Sequence, residues 1–364
     1  MNTYTLYGRV VMFDRVIENG AVAVRDGRIE YAGEKSGLSS VLGEVFDFTG
    51  YIIAPGFVDI HCHAAPGVWA YEDPVKMAEY HRSHGTTSIL CTYYRDIPHD
   101  DILRCLGEIK EIMKGATTIK GAHLEGPYLN PQYGSGKLDE GEKVNRDEYL
   151  ALAKSGVIRQ WTYAPEVDGT EQFEKDIVRE GIVPAIGHSS ASPKDVKRAE
   201  NNGARIVTHL FDATGKAIDP PSYDGTIEAS FNVAALICDN FYYEIILDKE
   251  RVHVRSELLR LAVKTVGVDR IIGITDSCAD GEDPESDINV VNGELYGSQL
   301  TMDRVAKNFF DEGFTLPEVS RITAYTPALA VGLENTGKLE KGFDADIIVA
   351  DDLFNIKKVF TARQ

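Results

Sequence analysis

Six ionisable side chains stand at or near the ends of apolar runs. They are His61 and His63 in GFVDIHCHA, Glu125 in HLEGP, His188 in IGHSS, His209 in VTHLFDAT and Asp276 in ITDSCADG. In an extended strand residues i and i+2 share a face, so His61 and His63 should lie side by side. Imidazole and carboxylate are ligands for Zn²⁺ and similar divalent ions, and a catalytic site leaves one position for water. Glu125, His188 and His209 offer three such ligands; His61 and His63 complete a second or a shared position. A metal would lower the pKa of bound water towards ~7 and polarise a carbonyl oxygen. Asp276 is then the natural base towards that water and acid towards the leaving group.

Such a set needs a scaffold that brings distant segments to one face. The apolar runs FVDIH (57–61), TSILCTY (87–93), IKGAHLE (119–125) and VIRQWTYAPE (157–166) read as strands. So do IVPAIGH (182–188), RIVTHL (205–210), FYYEIIL (241–247) and RIIGITD (270–276). Amphipathic segments such as TEQFEKDIVREG and SPKDVKRAENNG lie between them, begun by Ser, Thr or Asp and ended by Gly. Eight strands alternating with helices predict an α/β fold, a (β/α)8 TIM barrel, whose catalytic groups gather at the C-terminal ends of the strands. No G-x-G-x-x-G follows the first strand, which argues against a doubly wound dinucleotide fold. Residues 1–54 and 335–364 alternate differently and predict a small β-sandwich, with ENGA and RDGR as hairpin turns. The hydrolase barrel is expected over 55–334.

The formal net charge of −19, from 57 acidic and 38 basic residues, excludes nucleic acid and anionic membranes as natural partners. The start of the chain lacks a basic, then apolar, secretion signal. Cysteines 62, 91, 105, 238 and 278 are odd in number with no CxxC spacing, which disfavours a disulfide framework. The expectation is a soluble, cytoplasmic enzyme with a small-molecule substrate.

The motifs PGFVDIHCH, HLEGPYLNP, GHS, HLFDAT, ITDSCADG and GKLEKGFDADIIV together resemble the amidohydrolase superfamily over nearly the whole chain. Within it they are similar to the branch that deacetylates N-acetylglucosamine 6-phosphate. The resemblance implies a divalent metal, zinc above all, one or two per chain, held by Glu125, His188 and His209. It implies Asp276 as catalytic acid/base and His61/His63 as a second-site pair. It places His253, in RVHV, against the substrate carbonyl. Leu295, Tyr296 and Gly297 would line the sugar pocket, with Asp212, Ala213 and Ser135 also touching substrate. It further implies a homodimer.

Several positions depart from that branch. Gly136 stands where a substrate-holding histidine is expected, and Asp212 replaces an asparagine. The run GKAIDPPSYDG lacks the arginine that grips a phosphate. Arg95, Lys137 and Lys216 are the cations left to compensate, though a lysine does not replace a bidentate fork. The alternative substrate is therefore another small N-acyl or cyclic amide without a phosphate. A catalytically dead barrel used as a scaffold is disfavoured because every ligand-type residue is present. His81 and His84, spaced i, i+3 in HRSH, are expected to pack or face solvent. Cys62, between the two histidines, should point into the barrel wall.

Overall fold

The computed structural model describes residues 3–134, 140–215, 223, 225–281, 286–291 and 293–362. Strands β1 (Tyr4–Val11), β2 (Val16–Arg25), β3 (Arg28–Glu34) and β4 (Glu44–Pro55) come first. β5 (Phe57–Cys62) follows, then a short hairpin of β6 (Ala64–Ala65) and β7 (Val68–Trp69). Next come β8 (Thr86–Tyr94), β9 (Ile119–Glu125), β10 (Ile158–Tyr163) and β11 (Val183–Ile186). β12 (Ile206–Val207), β13 (Tyr242–Ile246) and β14 (Ile271–Ile274) complete the alternating part. A hairpin of β15 (Ile288–Val291) and β16 (Glu294–Ser298), then β17 (Ile347–Ala350) and β18 (Ile356–Phe360), end the chain.

The alternating strands pair in parallel in the order β14-β13-β12-β11-β10-β9-β8-β5, so each neighbours the next in sequence apart from the two ends. Those ends meet across a seam. Asp276 N donates to His61 O at 2.9 Å, and Thr275 Oγ1 donates to Asp59 Oδ2 at 2.6 Å. The fold is thus the expected (β/α)8 barrel. Its strands are buried on both faces, hence the unbroken apolar runs. Helices such as Thr170–Arg179 and Pro193–Asn202 cover the outside, the second capped by the Ser192 side chain and closed by Gly203 at φ 112°.

The two ends of the chain share one six-stranded sheet of order β18-β17-β4-β1-β2-β3. Its own core holds Leu6, Val22, Ile29, Ile53, Ile347 and Phe360. β3 reaches round to the segment before β17, where Ile29 N donates to Phe343 O at 2.9 Å. Two local expectations are corrected here. β1 and β4 run parallel, not antiparallel. ENGA lies inside β2, paired with β1 around a register shift, and the chain turns instead at Met12–Arg15. Cross-strand pairing there outweighs the local Asn-Gly turn preference. RDGR does turn: Asp26 and Gly27 have φ 52° and 76°, the left-handed pair of a type I′ hairpin. Among the described residues no helix is long and apolar enough to cross a membrane.

Candidate active site

The metal-type side chains converge at the C-terminal mouth of the barrel. His188 Nε2 and His209 Nε2 lie 2.9 and 3.1 Å from Glu125 Oε1, and 3.0 Å from each other. On the other side of Glu125, His63 Nε2 is 3.2 Å from its second oxygen, Oε2. His61 Nε2 is 3.3 Å from His63 Nε2, and Asp276 Oδ1 lies 3.4 and 3.2 Å from those two nitrogens. Two groups suited to a cation result, Glu125–His188–His209 and His61–His63–Glu125, sharing the glutamate. Four buried ring nitrogens aimed at carboxylates, at separations close to the ~3.3 Å edge of a tetrahedron with ~2.0–2.1 Å metal bonds, fit a divalent ion. The donor set contains no thiolate and suits zinc, iron or manganese alike.

The approach to this mouth is strained. His188, His209 and Asp276 each lie two residues beyond their strand, at φ 48°, 27° and 49°. They were expected to close the strands themselves. The chain instead leaves the ladder and adopts the left-handed region, which non-glycine residues rarely enter and which concentrates at functional sites. Gly134, at φ 90°, sits so close to the His188 ring that a Cβ there would collide with it.

Buried partners fix the rings. His61 Nδ1 lies 3.1 Å from Glu244 Oε2, so Nδ1 carries the proton and Nε2 is left facing the metal-type group. Glu244 is held in turn by Gln160 Nε2 at 2.7 Å. His188 Nδ1 donates to Tyr133 O at 3.3 Å. His123, packed edge-on against His61 at 4.5 Å between ring centres, is pushed down in pKa by burial. Burial opposes charge on His209, but Glu125 outweighs it and holds the ring up at about 9. Burial also opposes ionisation of Asp276, and His61 and His63 reverse that, keeping its carboxyl well below the usual range. Asp276 is therefore ionised, the form a general base must have. Glu244, Gln160 and His123 escaped sequence analysis. A glutamate inside the apolar run FYYEIIL was the available signal.

A cavity of about 220 Å³ opens over the group, lined by His63, Glu125, His188, His209, Asp212, Ala213 and Asp276. Leu295, Tyr296 and Gly297 line it too, so all three meet the expectation. The β15–β16 hairpin is strapped beside Asp276 by Ser298 N donating to Asp276 O at 2.7 Å. His253 is buried behind this hairpin. Its Nδ1 donates to Asp248 Oδ2 at 3.0 Å, and its Nε2 donates to Gly297 O at 3.1 Å. Burial resists its protonation, while Asp248 and Asp212 raise its pKa overall. Ser135, Gly136, Lys137 and Lys216 lie outside the described residues. Tyr128 packs on Tyr149 and Phe173 in the core and does not line this cavity.

A family model described as "Amidohydrolase family" matches residues 52–363, the barrel together with the strands that return to the terminal sheet. The chain belongs to the amidohydrolase family. This amidohydrolase is 27% identical over 360 residues to an N-acetylglucosamine-6-phosphate deacetylase of Lysinibacillus sphaericus, covering 91% of this chain and 89% of the other. It is 24% identical over 341 residues to an N-acetylgalactosamine-6-phosphate deacetylase of Escherichia coli O157:H7, covering 86% and 87%. It superposes on a Mycobacterium smegmatis N-acetyl-D-glucosamine-6-phosphate deacetylase solved with N-acetyl-D-glucosamine-6-phosphate. The TM-score is 0.87 at 25% identity, over 100% of this chain and 99% of the other. Amidohydrolases of this kind are metal-dependent, and the two clustered ligand groups are where such a metal fits.

Proposed function

We propose that this amidohydrolase removes the acetyl group from an N-acetylated amino sugar. The observation that carries it is the joint placement of Glu125, His188 and His209 beside an ionised Asp276 in one cavity. Glu125, His188 and His209 would hold a divalent ion, which when bound supplies Lewis acidity to the amide carbonyl and acidity to water. His61, His63 and the second oxygen of Glu125 would hold another. Asp276 takes the proton of the attacking water at its carboxylate and returns it to the departing nitrogen, so that amine and acetate leave. His253, its ring fixed by Asp248, donates from Nε2 to the carbonyl oxygen as charge develops there. For that the substrate oxygen must share or displace the contact with Gly297 O.

The relatives named above act on 6-phosphates. Here the described lining carries Asp212 and Glu294 besides Glu125 and Asp276, and no Lys or Arg. Carboxylates near the sugar end oppose a phosphate dianion, so we propose a substrate without the 6-phosphate, an N-acetyl amino sugar or another small N-acyl compound. A turnover panel on metal-loaded protein tests this, comparing N-acetylglucosamine, its 6-phosphate and N-acyl amino acids at one ionic strength. Preference for the 6-phosphate by more than about 100-fold, roughly 2.7 kcal/mol, would overturn it. A cytoplasmic homodimer belongs to the same proposal; sedimentation of the purified protein tests the assembly.

A further inference from the structure

His188 sits in a strained backbone, at φ 48°, and both its carbonyl and its ring are tied to the loop after β9. Asn130 N donates to His188 O at 3.0 Å, and the ring donates from Nδ1 to Tyr133 O. Tyr133 N donates in turn to Asn130 O at 3.2 Å. Asn130 therefore stands between the two contacts. It is itself held by Glu166, a half-buried residue three positions beyond β10 that lies outside both metal-type groups and outside the cavity lining. Glu166 Oε1 accepts from the Asn130 side-chain amide at 2.8 Å and from Ser190 N at 2.7 Å. Glu166 Oε2 accepts from Ser189 Oγ at 2.6 Å. Ser189 and Ser190 directly follow His188, and Asn130 lies five residues beyond Glu125. One carboxylate thus joins the loops that carry two ligands of the main group. Ser189 O, which accepts from Gly215 N at 3.0 Å, extends the tie to the segment after His209.

A non-glycine residue in the left-handed region persists only where its surroundings over-determine it. At His188 those surroundings converge on Glu166, which grips the backbone through Ser189 and Ser190 and the ring through Asn130 and Tyr133. We propose that Glu166 is a positioning residue for metal binding: it acts through His188, holding Nε2 against Glu125 so that the divalent-ion group is formed before the ion arrives. This rests on the proposed metal chemistry of that group. Partners standing behind a ligand typically set about 10- to 100-fold of metal affinity. Water entering the place of a lost Glu166 side chain could satisfy the Ser190 N–H and the Ser189 hydroxyl, but it would not tie one loop to the other. The effect should therefore fall on the ion more than on the fold.

The test measures zinc affinity of the full chain by competition with a chromophoric chelator, in two backgrounds that each isolate one group. His63→Ala leaves Glu125, His188 and His209; His209→Ala leaves His61, His63 and Glu125. Adding Glu166→Ala should weaken zinc about 10- to 100-fold in the first background and leave it within about threefold in the second. Asn130→Asp keeps its backbone contacts but puts an acceptor where Glu166 needs a donor. It should weaken the first group similarly, and it reads the same link if Glu166→Ala does not fold. Glu166→Gln should recover most of the affinity, since its carbonyl still accepts from Asn130 and Ser190 and its amide can donate to Ser189 Oγ. Glu200→Ala is the control for general loosening: it strips a carboxylate on an outer helix that accepts from Asp239 N, Asn240 N and Lys197. That variant should lower the thermal midpoint without moving zinc affinity. Zinc affinity unchanged by Glu166→Ala and Asn130→Asp in the first background overturns the inference. So does equal weakening in the second background or by Glu200→Ala. An unaltered chain that binds no zinc overturns the proposed metal chemistry and this inference together, whereas zinc bound with indifference to Glu166 overturns this inference alone.

Discussion

Two clusters of metal-type side chains grow from the same strand, and only one is built as a site. His61, His63 and Glu125 bring their ligand atoms within 4.8 Å of one another, and so do Asp59, Cys62 and His81. The second cluster is consumed by structure. Asp59 accepts from Thr275 Oγ1 and closes the barrel seam, and His81 Nε2 donates to Ala64 O at 2.8 Å. Burial pushes His81 down to about 4 and raises the Cys62 thiol well above its usual range, so the ring and the thiol are neutral. In the first cluster Glu244 holds His61 Nδ1, and in the adjoining group that shares Glu125 the Tyr133 carbonyl holds His188 Nδ1, so both rings turn Nε2 towards the shared glutamate. Carboxylates outweigh burial and raise the pKa of His61, and of His209 in the adjoining group. Residue type alone therefore does not define a metal site. Ring nitrogens and carboxylates aimed at one point beside a cavity do.

The largest effect should come from emptying the main group. His188→Ala or His209→Ala should lower bound metal to at most the second position and abolish hydrolysis, read by elemental analysis alongside turnover. Retained turnover would place the chemistry elsewhere. Asp276→Asn comes next: metal content and fold should persist while kcat falls about 10²- to 10⁴-fold, the usual worth of a general acid/base. An amide cannot take the proton from water. Near-normal turnover would mean another base. His253→Ala should lower kcat by about 10²- to 10³-fold, as for loss of one donor to a developing oxyanion, without changing metal content. Metal loss in that variant would make His253 a ligand instead. The smallest effect on chemistry belongs to the sealed cluster. His81→Ala should leave metal content and kcat near wild type while costing about 1–3 kcal/mol of stability, from the Ala64 carbonyl left with only the weak Cys62 thiol donor and from the lost packing. A drop in bound metal there would dissolve the distinction between the two clusters.

The barrel was legible because its strands interrupt helices as continuous apolar runs, and the site because ionisable residues break those runs near their ends. The i, i+2 spacing of His61 and His63 placed both on one face, with Cys62 turned into the wall against His81. What sequence could not supply was the layer behind. Glu244 sits in β13, and its work of orienting His61 depends on strands far apart in sequence coming together; Asp248 reaches His253 only five residues on, through the local course of the loop after β13. The positive φ at His188, His209 and Asp276 is likewise imposed by the closed barrel mouth, not by local residue preference. ENGA misled for the same reason: the Asn-Gly signal is local, while β2 is fixed by its partners on both sides.

The central claim, that Glu125, His188 and His209 work through a bound divalent ion, is tested most directly by chelation and readdition. Purified enzyme should carry between one and two divalent ions per chain, lose hydrolysis in step with metal removal, and regain it on adding zinc or another divalent transition metal. A chelated preparation with no measurable metal and undiminished turnover would contradict the account.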